Sequence, residues 1–267
     1  MTVTVARNNN ILRQRLLRFF ARKNCQSQEL SNFLNSISQH ADILLFGGAI
    51  RDIALNGIRS FNSDLDFVFD GDTEHLKNII TKQQLSQHGI TKPKIQANKF
   101  GGYRVQNKHL DIDIWPIKET WAFKQSLVDY HSMASLLNTT ITNWDAILFS
   151  WQRKKLIYPK HYFEHLNSGY LDIVLDVNPN ELGLLVRILR HFVLKEANIF
   201  SQQLSNIVYQ KLLKYDFNTI HYQEQLSYGE NYITPNLILY LQETLSQHLH
   251  SNGPVTLDKF NKTLPLF

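Results

Sequence analysis

Two aspartates separated by one residue, Asp64 and Asp66, are the part of this sequence best suited to chemistry. They lie in the segment DLDFVF, where acidic and apolar residues alternate as in a strand with one buried face. Because strand side chains alternate between two faces, both carboxylates point the same way and repel each other. Carboxylate oxygens gathered in this way suit Mg²⁺ or Mn²⁺. Solvent-facing acids that bind no metal are the alternative interpretation.

A second acid pair, Asp111 and Asp113, has the same spacing in the segment HLDIDIW. Leu110, Ile112 and Ile114 alternate with these acids and would point to the opposite face. A site for two metal ions needs further carboxylates, and a neighbouring strand can supply them. One acid of this pair could therefore be a third metal ligand. Acids that protect an edge strand from aggregation are the alternative.

A glycine pair, Gly47 and Gly48, stands where the apolar run ILLF meets a segment with helical spacing. This pattern predicts a strand, a tight turn and a helix. Amide groups at the beginning of a helix attract anions, so the turn could receive a triphosphate, or it could bind nothing. Arg51 and Asp52 would then be a phosphate ligand and the partner that orients it, or a surface ion pair of little energetic value.

The surrounding elements predict the α+β class: a small mixed sheet with flanking helices, followed by a helical C-terminal region. Strands are expected at ILLF, DLDFVF, YRVQ and HLDIDIW, and a helix over residues 75–88. From about residue 125 the strand signals fade, and Leu, Ile and Phe recur at helical spacing. The expected domains are N-terminal helices at 1–40, a catalytic domain at 41–125 and a mainly helical nucleotide- and acceptor-binding region at 126–267.

The two helices expected within residues 11–40 begin with a basic amphipathic segment. We interpret it as a solvated face over a packed one, with a membrane-surface or RNA-contacting role as the alternative. Its apolar face would consist of Leu12, Leu16, Phe19 and Phe20, and its basic residues are Arg13, Arg15, Arg18, Arg22 and Lys23.

Composition narrows the class of protein. With 267 residues, 43% of them hydrophobic and 19% charged, the chain is typical of globular proteins and long enough to bury a core. The single cysteine, Cys25, excludes an internal disulfide and a cysteine-based zinc cluster, so we expect a reducing compartment, the cytoplasm. No signal peptide or membrane span is expected, because apolar runs are short. The net charge of +5 favours a polyanionic partner.

The segment FGGAIRD, followed after eleven residues by DLDFVF, resembles the N-terminal signature of the DNA-polymerase-beta-like nucleotidyltransferase superfamily. The similar branch is that of the bacterial CCA-adding enzymes and poly(A) polymerases, and the resemblance covers residues 43 to about 115. It implies that Asp64 and Asp66 bind two metal ions, that Gly47 and Gly48 hold the triphosphate, and that a further strand supplies a third acid.

For that third acid we choose Asp113 over Asp111. The resemblance also makes Arg51 and Asp52 the arginine and aspartate of the family's glycine motif. The segment LNTTITNWDAI faintly resembles the family's ribose-contacting motif, through residues that could contact sugar hydroxyls: Thr140, Thr142 and Asn143.

Further along, VRILRHFVL is similar to the arginine-rich helix that follows the family's nucleobase-reading motif. Arg187 and Arg190 stand in the comparable places and are expected to bind the nucleotide. Gly183 and Leu184–Leu185 occupy positions where the CCA-adding members carry Glu-Asp, so the resemblance does not identify the nucleotide.

The resemblance implies a reaction in which Mg²⁺ or Mn²⁺ assists transfer of a nucleotide from a nucleoside triphosphate to an acceptor hydroxyl, with release of pyrophosphate. The expected acceptor is RNA, such as a tRNA 3′ end. Two alternatives stay open: nucleotidylation of a protein or a small molecule, and a catalytically silent module that binds nucleotide or RNA.

Overall fold

The computed structural model divides the chain into two compact units. One comprises residues 1–140 and 144–164, and the other residues 141–143 and 165–267. Among the described residues, no helix is both long and apolar enough to cross a membrane. The structure describes residues 4–22, 24–61, 64–81, 93–98, 101–108, 111–249 and 251–258.

A mixed sheet of seven strands forms the centre of the first unit. Its strands lie in the order β3-β4-β5-β2-β1-β6-β7. Strands β2 and β5 are parallel, and every other neighbouring pair is antiparallel. The strands are β1 (Ile43–Phe46), β2 (Leu65–Phe69), β3 (Lys94–Ala97), β4 (Tyr103–Gln106), β5 (Asp111–Pro116), β6 (Leu148–Ser150) and β7 (Lys155–Ile157).

Helices of the first unit flank this sheet, and α3 lies against β1 and β2 as well as against α1. Three-residue and seven-residue 3-10 helices follow β5, at Ile117–Glu119 and Met133–Thr139. The α-helices are α1 (Asn9–Phe20), α2 (Cys25–Ile37), α3 (Gly48–Asn56), α4 (Thr73–Ile79) and α5 (Trp121–Lys124). Helix α6 (Tyr162–Ser168) begins in the first unit and ends in the second.

The basic residues of α1 have structural partners. The predicted apolar face is buried, as expected. On the other side, Arg15 donates to the carbonyl oxygens of Ile53 and Ala54, at 3.2 and 2.7 Å. Arg13 donates through Nε to the carbonyl oxygen of Lys154 at 2.6 Å. Arginine side chains thus bond carbonyl groups near the end of α3 and in the β6–β7 turn, rather than only facing solvent.

Strand order brings the residues of interest to one edge of the sheet. Leu45 of β1 pairs with Phe67 of β2 in antiparallel register, so the end of β1 and the glycine turn after it approach the beginning of β2. Strand β5 runs parallel to β2, with Asp113 beside Asp66, so both strands begin at the same edge. Helix α3 therefore starts where the acids lie.

Three strands of the sheet, β3, β6 and β7, were not predicted from the sequence pattern. We expected no strand after about residue 125, but β6 pairs with β1 and β7 pairs with β6. Each has three residues, and β6 is buried throughout, so neither shows the alternation that identifies a strand. Of the helix predicted over 75–88, the part up to Ile79 is present, while residues 82–88, like Leu110 of the predicted strand, lie outside the described residues.

The second unit is mostly helical, and the predicted α+β class with a helical C-terminal region is confirmed. A small sheet in the order β10-β9-β8 accompanies the helices. Its elements are β8 (Tyr170–Leu171), α7 (Glu181–Lys195), β9 (Ile199–Phe200), α8 (Gln202–Lys214), α9 (Phe217–Tyr228), α10 (Pro235–Ser246) and β10 (Val255–Thr256).

Candidate functional site

Three aspartates share one face of the sheet at this edge. Asp64 directly precedes β2, Asp66 lies within it, and Asp66 is in register with Asp113 of the parallel strand β5. Leu65, between Asp64 and Asp66, pairs with Ile112, which precedes Asp113, and both residues are buried. Because strand side chains alternate, the three carboxylates lie on the opposite face from this apolar pair. The register supports Asp113 as the third acid.

Arg104 of β4 lies among these acids. Its Nη2 atom is 3.1 Å from Oδ2 of Asp64 and 2.7 Å from Oδ2 of Asp111, and its Nη1 atom is 3.2 Å from Oδ2 of Asp113. The sequence analysis missed Arg104. Arg104 lies in the predicted strand YRVQ, and antiparallel pairing of this strand with HLDIDIW sets Arg104 opposite Asp113. This pairing was the feature from which Arg104 could have been predicted.

Negative charge exceeds positive charge in this cluster. Three carboxylates share one guanidinium, so three negative charges meet one positive charge. Hydrogen bonding to Asp111 raises the pKa of Arg104, burial opposes this, and Asp113 and Asp64 raise it further. Burial raises the pKa of Asp113, against the effect of Arg104, and the charges of Asp64 and Asp111 add to the increase. A further cation near Asp113 would relieve that repulsion.

The donor set fits Mg²⁺ or Mn²⁺. Within the described part of the chain, no three His, Cys, Asp or Glu side chains surround one point as the ligands of a metal do. The guanidinium of Arg104 bonds Asp64 and Asp113 and is the cation at these two carboxylates. The oxygens it holds are hard ligands of the kind these ions prefer. Asp64, Asp66 and Asp113 could hold a divalent ion once Arg104 releases them.

The glycine turn has a backbone conformation that requires glycine. Gly47 has φ +65° and ψ −118°, a combination that other residues adopt only under strain. Its amide donates to the carbonyl oxygen of Ile147 at 3.0 Å, and its own carbonyl oxygen accepts from the amides of Ile50 and Arg51, each at 3.1 Å. The turn thus fixes the beginning of α3 at the sheet edge that carries the acids.

Arg51 is buried in an ion cluster, not paired at the surface. Its Nε and Nη2 atoms donate to the two carboxylate oxygens of Asp52 at 2.9 and 3.1 Å, and Nη1 donates to Asp145. Burial lowers its pKa, but the charges of Asp145 and Asp52 outweigh this effect and raise it. A Cβ atom on Gly48 would lie 3.4 Å from Nη2 of Arg51. Arg51 therefore supports the glycine turn, while two carboxylates neutralise its charge.

Asp145 is the second residue of this site that the sequence analysis missed. It lies in the segment chosen for ribose contacts, where attention fell on its neighbours. Thr140 donates to the carbonyl oxygen of Leu137, and Thr142 is fully buried. Asn143 donates to the carbonyl oxygen of Tyr170 at 3.2 Å and accepts from an amide at 2.9 Å. These three candidates are therefore bonded or buried within the protein. Asp145, by contrast, accepts from Arg51, which lies beside the glycine turn.

In the second unit, the two arginines of α7 have different surroundings. Arg187 is exposed. Arg190 donates to Glu224 at 2.7 Å, and its guanidinium carbon lies 4.1 Å from the ring centre of Tyr228 and 5.2 Å from that of Tyr232. Glu224 is fully buried. Arg190 thus holds α7 to α9, and of the two arginines only Arg187 faces solvent.

Gly183, one of the residues that stand where CCA-adding members carry Glu-Asp, lies beside the N-cap of α7. Gly183 donates its amide to Oδ1 of Asn180, the N-cap of α7, at 2.8 Å. A Cβ atom at Gly183 would lie 2.5 Å from Nδ2 of Asn180. A larger residue at this position would therefore make the Asn180 side chain shift from its capping position.

Comparison with known proteins identifies the fold. No protein-family model and no curated protein sequence matches the chain. Solved structures do match. A tRNA nucleotidyltransferase complexed with a primer tRNA and an incoming ATP analogue is 16% identical, with a TM-score of 0.54, over 82% of this chain and 62% of the other. A CCA-adding enzyme with CTP is 15% identical, with a TM-score of 0.55, over 82% of this chain and 51% of the other.

A third match, described as a tRNA-processing enzyme complex, is 16% identical, with a TM-score of 0.54, over 80% of this chain and 56% of its own length. The chain thus spans 51–62% of the length of these three structures. At this identity the similarity shows the fold. The fold predicted from FGGAIRD and DLDFVF, which these solved tRNA nucleotidyltransferases and CCA-adding enzymes share, is confirmed.

Proposed function

We propose that the chain is a metal-dependent nucleotidyltransferase that transfers a nucleotide from a nucleoside triphosphate to a hydroxyl group of RNA. One observation carries the proposal: Asp66 and Asp113 lie side by side on parallel strands, at the edge where the glycine turn begins α3. Acids and an anion-binding turn at one edge suit a reaction on a metal-bound triphosphate. The fold shared with tRNA nucleotidyltransferases supports this choice.

Each residue of the edge has a distinct role in this proposal. Asp64, Asp66 and Asp113 hold the divalent ion or ions, whose charge would neutralise the phosphates and favour ionisation of the attacking hydroxyl. The glycine turn binds the triphosphate through the amide of Gly48 at the beginning of α3, because the amide of Gly47 already donates to the carbonyl oxygen of Ile147. The acceptor oxygen bonds to the α-phosphorus as the bond to the β-phosphate bridge breaks, and pyrophosphate leaves. Arg51 is a positioning residue, because its charge is already neutralised by two carboxylates.

RNA is the proposed acceptor on two grounds. The net charge of +5 favours association with a polyanion. A tRNA is also bound to one solved structure with this fold. Within the second unit we propose that Arg187 contacts nucleotide or RNA, because its side chain is exposed on α7. We also propose the predicted domains: N-terminal helices at 1–40, a catalytic domain at 41–125 and a nucleotide- and acceptor-binding region at 126–267.

The test is incubation of the purified chain with each α-labelled nucleoside triphosphate, Mg²⁺ and total RNA. The variant Asp64→Ala/Asp66→Ala is the inactive comparison, and Asp129→Asn, which removes an exposed acid outside the site, is its matched control. We expect labelled RNA with the wild type and the control, and none with the double variant. Label in a protein or small molecule instead would overturn the RNA acceptor, and no label in any acceptor would indicate a silent binding module.

A further inference from the structure

The guanidinium of Arg104 lies where the proposed function needs a metal ion. It bonds Oδ2 of Asp64 and Oδ2 of Asp113, two of the three proposed metal ligands, through two different nitrogen atoms. A divalent ion bound by these carboxylates would meet a positive charge at hydrogen-bond distance from its own ligands. Like charges at such a distance repel, so Arg104 and the ion would weaken each other's contacts with these carboxylates.

Asp111 gives Arg104 a second place to bind. The contact from Nη2 of Arg104 to Asp111 is 2.7 Å, the shortest of its three carboxylate contacts. Asp111 is also fixed by Gln106, which donates to the same oxygen at 3.0 Å and is its register partner on β4. Asp111 lies two residues before Asp113 on β5, so Arg104 can keep a carboxylate partner on this strand while it releases Asp113.

The two acids of the segment DIDIW thus differ in their neighbours. Asp113 stands beside Asp66 on the parallel strand, whereas Asp111 pairs with Gln106 on the antiparallel strand. Asp113 is also the less exposed of the two, with 23% of its side chain exposed against 40% for Asp111. Both acids contact Arg104, but Asp113 is the one that also lies in register with Asp66.

We propose that Arg104 is a built-in competitor of the divalent ion, and that Asp111 is the acceptor to which Arg104 withdraws when the ion binds Asp64 and Asp113. The inference rests on the proposed function, since it needs a metal at these acids. In the metal-free protein Arg104 stabilises the acid cluster, and in the loaded protein it bonds Asp111 alone. Asp111 is therefore a positioning residue and not a metal ligand.

The test measures Mn²⁺ binding to the full chain by electron paramagnetic resonance, without nucleotide or RNA. Arg104→Gln removes the charge, and Arg104→Lys keeps the charge but loses the forked contact with two carboxylates. Arg153→Gln is the control, because Arg153 is an exposed arginine of the same unit that pairs with a different acid. Asp64→Ala/Asp66→Ala defines binding at the proposed site.

We expect Arg104→Gln to tighten Mn²⁺ binding by about tenfold and Arg104→Lys by about threefold, since exposed ion pairs are individually weak but here act together. Arg153→Gln should leave the affinity unchanged. The melting temperature in a chelator should fall for Arg104→Gln, and added Mn²⁺ should raise it more than in the wild type, because binding to the folded state is then stronger.

Asp111→Asn completes the cycle. In the wild-type background it should weaken Mn²⁺ binding about threefold, because Arg104 loses the carboxylate that receives it. In the Arg104→Gln background it should have almost no effect. Equal weakening in both backgrounds would show that Asp111 acts on the ion directly, which overturns its assigned role.

The outcomes separate the inference from the proposed function. Mn²⁺ binding that needs Asp64 and Asp66 but does not tighten in Arg104→Gln overturns the inference and leaves the proposed function standing. If Arg104→Lys bound Mn²⁺ with the affinity of the wild type, net charge alone would explain the tighter binding of Arg104→Gln. This result would overturn competition by the guanidinium. Absence of Mn²⁺ binding in the wild type and in Arg104→Gln overturns both.

Discussion

At the scale of single residues, two arginines organise the acids of the site. Arg104 bonds carboxylates on the exposed face of the sheet, and Arg51 bonds Asp52 and Asp145 beneath the glycine turn. The first cluster is partly exposed, with 34% of the Arg104 side chain accessible, whereas only 9% of Arg51 is. Solvent can therefore replace partners of Arg104 at little cost, but not those of Arg51.

Asp145→Asn tests the buried cluster. We expect the free energy of unfolding to fall by about 1–3 kcal/mol, because Arg51 keeps Asp52 but loses the charge of its second buried partner. Urea denaturation measures the change. The control Asp129→Asn removes an exposed acid and should stay within about 0.5 kcal/mol of the wild type. Equal stability of both variants would contradict the assignment of Asp145.

Tyr162 gives the same cluster a dependence on alkaline pH. Its hydroxyl donates to the carbonyl oxygen of Trp144 at 3.1 Å, and burial, with the charge of Asp145, raises its pKa. Below about pH 10 both the folded and unfolded states keep this proton, so the stability is fully present. Above that pH the unfolded state loses the proton first, so the folded state loses stability as the pH rises.

Tyr162→Phe should therefore reduce the fall in stability above about pH 10, measured by urea denaturation at a series of pH values. At neutral pH the variant should cost about 1 kcal/mol, since one buried hydrogen bond is lost. A wild-type protein whose stability above pH 10 falls no faster than that of Tyr162→Phe would contradict the raised pKa.

The sequence predicted three acids of the candidate site, Asp64, Asp66 and Asp113, but neither Arg104, which contacts two of them, nor Asp145, which contacts Arg51. Asp64 and Asp66 are visible because their spacing is local and their motif is specific. Arg104 is 40 residues from Asp64, and Asp145 is 94 residues from Arg51. Only strand pairing and the packing of the segment around Asp145 bring these groups together, and neither leaves a pattern in neighbouring residues.

At the scale of elements, the beginning of α3 and the strands β2 and β5 form the site because all of them begin or end at one edge. The turn between β1 and α3 has a positive φ at Gly47, a conformation that glycine adopts without the strain it would impose on other residues. In the second unit, the contact between α7 and α9 depends on one buried carboxylate, Glu224, which accepts from Arg190 and from the amides of Tyr232 and Ile233.

Gly47→Ala tests the turn. No atom outside the neighbouring residues lies closer than 3.5 Å to the position of an added Cβ, so backbone strain alone should act. We expect a loss of about 1–3 kcal/mol in the free energy of unfolding. Gly253→Ala is the matched control, because no atom lies within 4 Å of its added Cβ. If both substitutions proved equally mild, the assigned conformation of Gly47 would be wrong.

Arg190→Met tests the contact between α7 and α9. It leaves a fully buried carboxylate without its cation, which should cost about 3–5 kcal/mol. Hydrogen exchange at the amides of Tyr232 and Ile233 should accelerate, because both donate to Glu224. Arg187→Gln, an exposed change on the same helix, should leave exchange unaltered. Unchanged exchange in Arg190→Met would contradict this structural role and would instead favour a role of Arg190 in ligand binding.

At the scale of the whole molecule, the order of sequence signals predicted the class of fold well. Alternating strands near the N-terminus and helical spacing afterwards correspond to a mixed sheet and a mainly helical second unit. The strands β6 and β7 escaped prediction because each has three residues, too few for a period of two to appear. The pairing of β6 with β1, and of β7 with β6, became visible only in the folded chain.

Transfer of label from two positions of the triphosphate tests whether this chain transfers a nucleotide to RNA. The wild type and Asp66→Asn are incubated with Mg²⁺, RNA and triphosphate labelled at either the α- or the γ-phosphate. We expect RNA to gain α-label and no γ-label, and Asp66→Asn to abolish the transfer. Transfer of γ-label, or α-label unaffected by Asp66→Asn, would contradict this expectation.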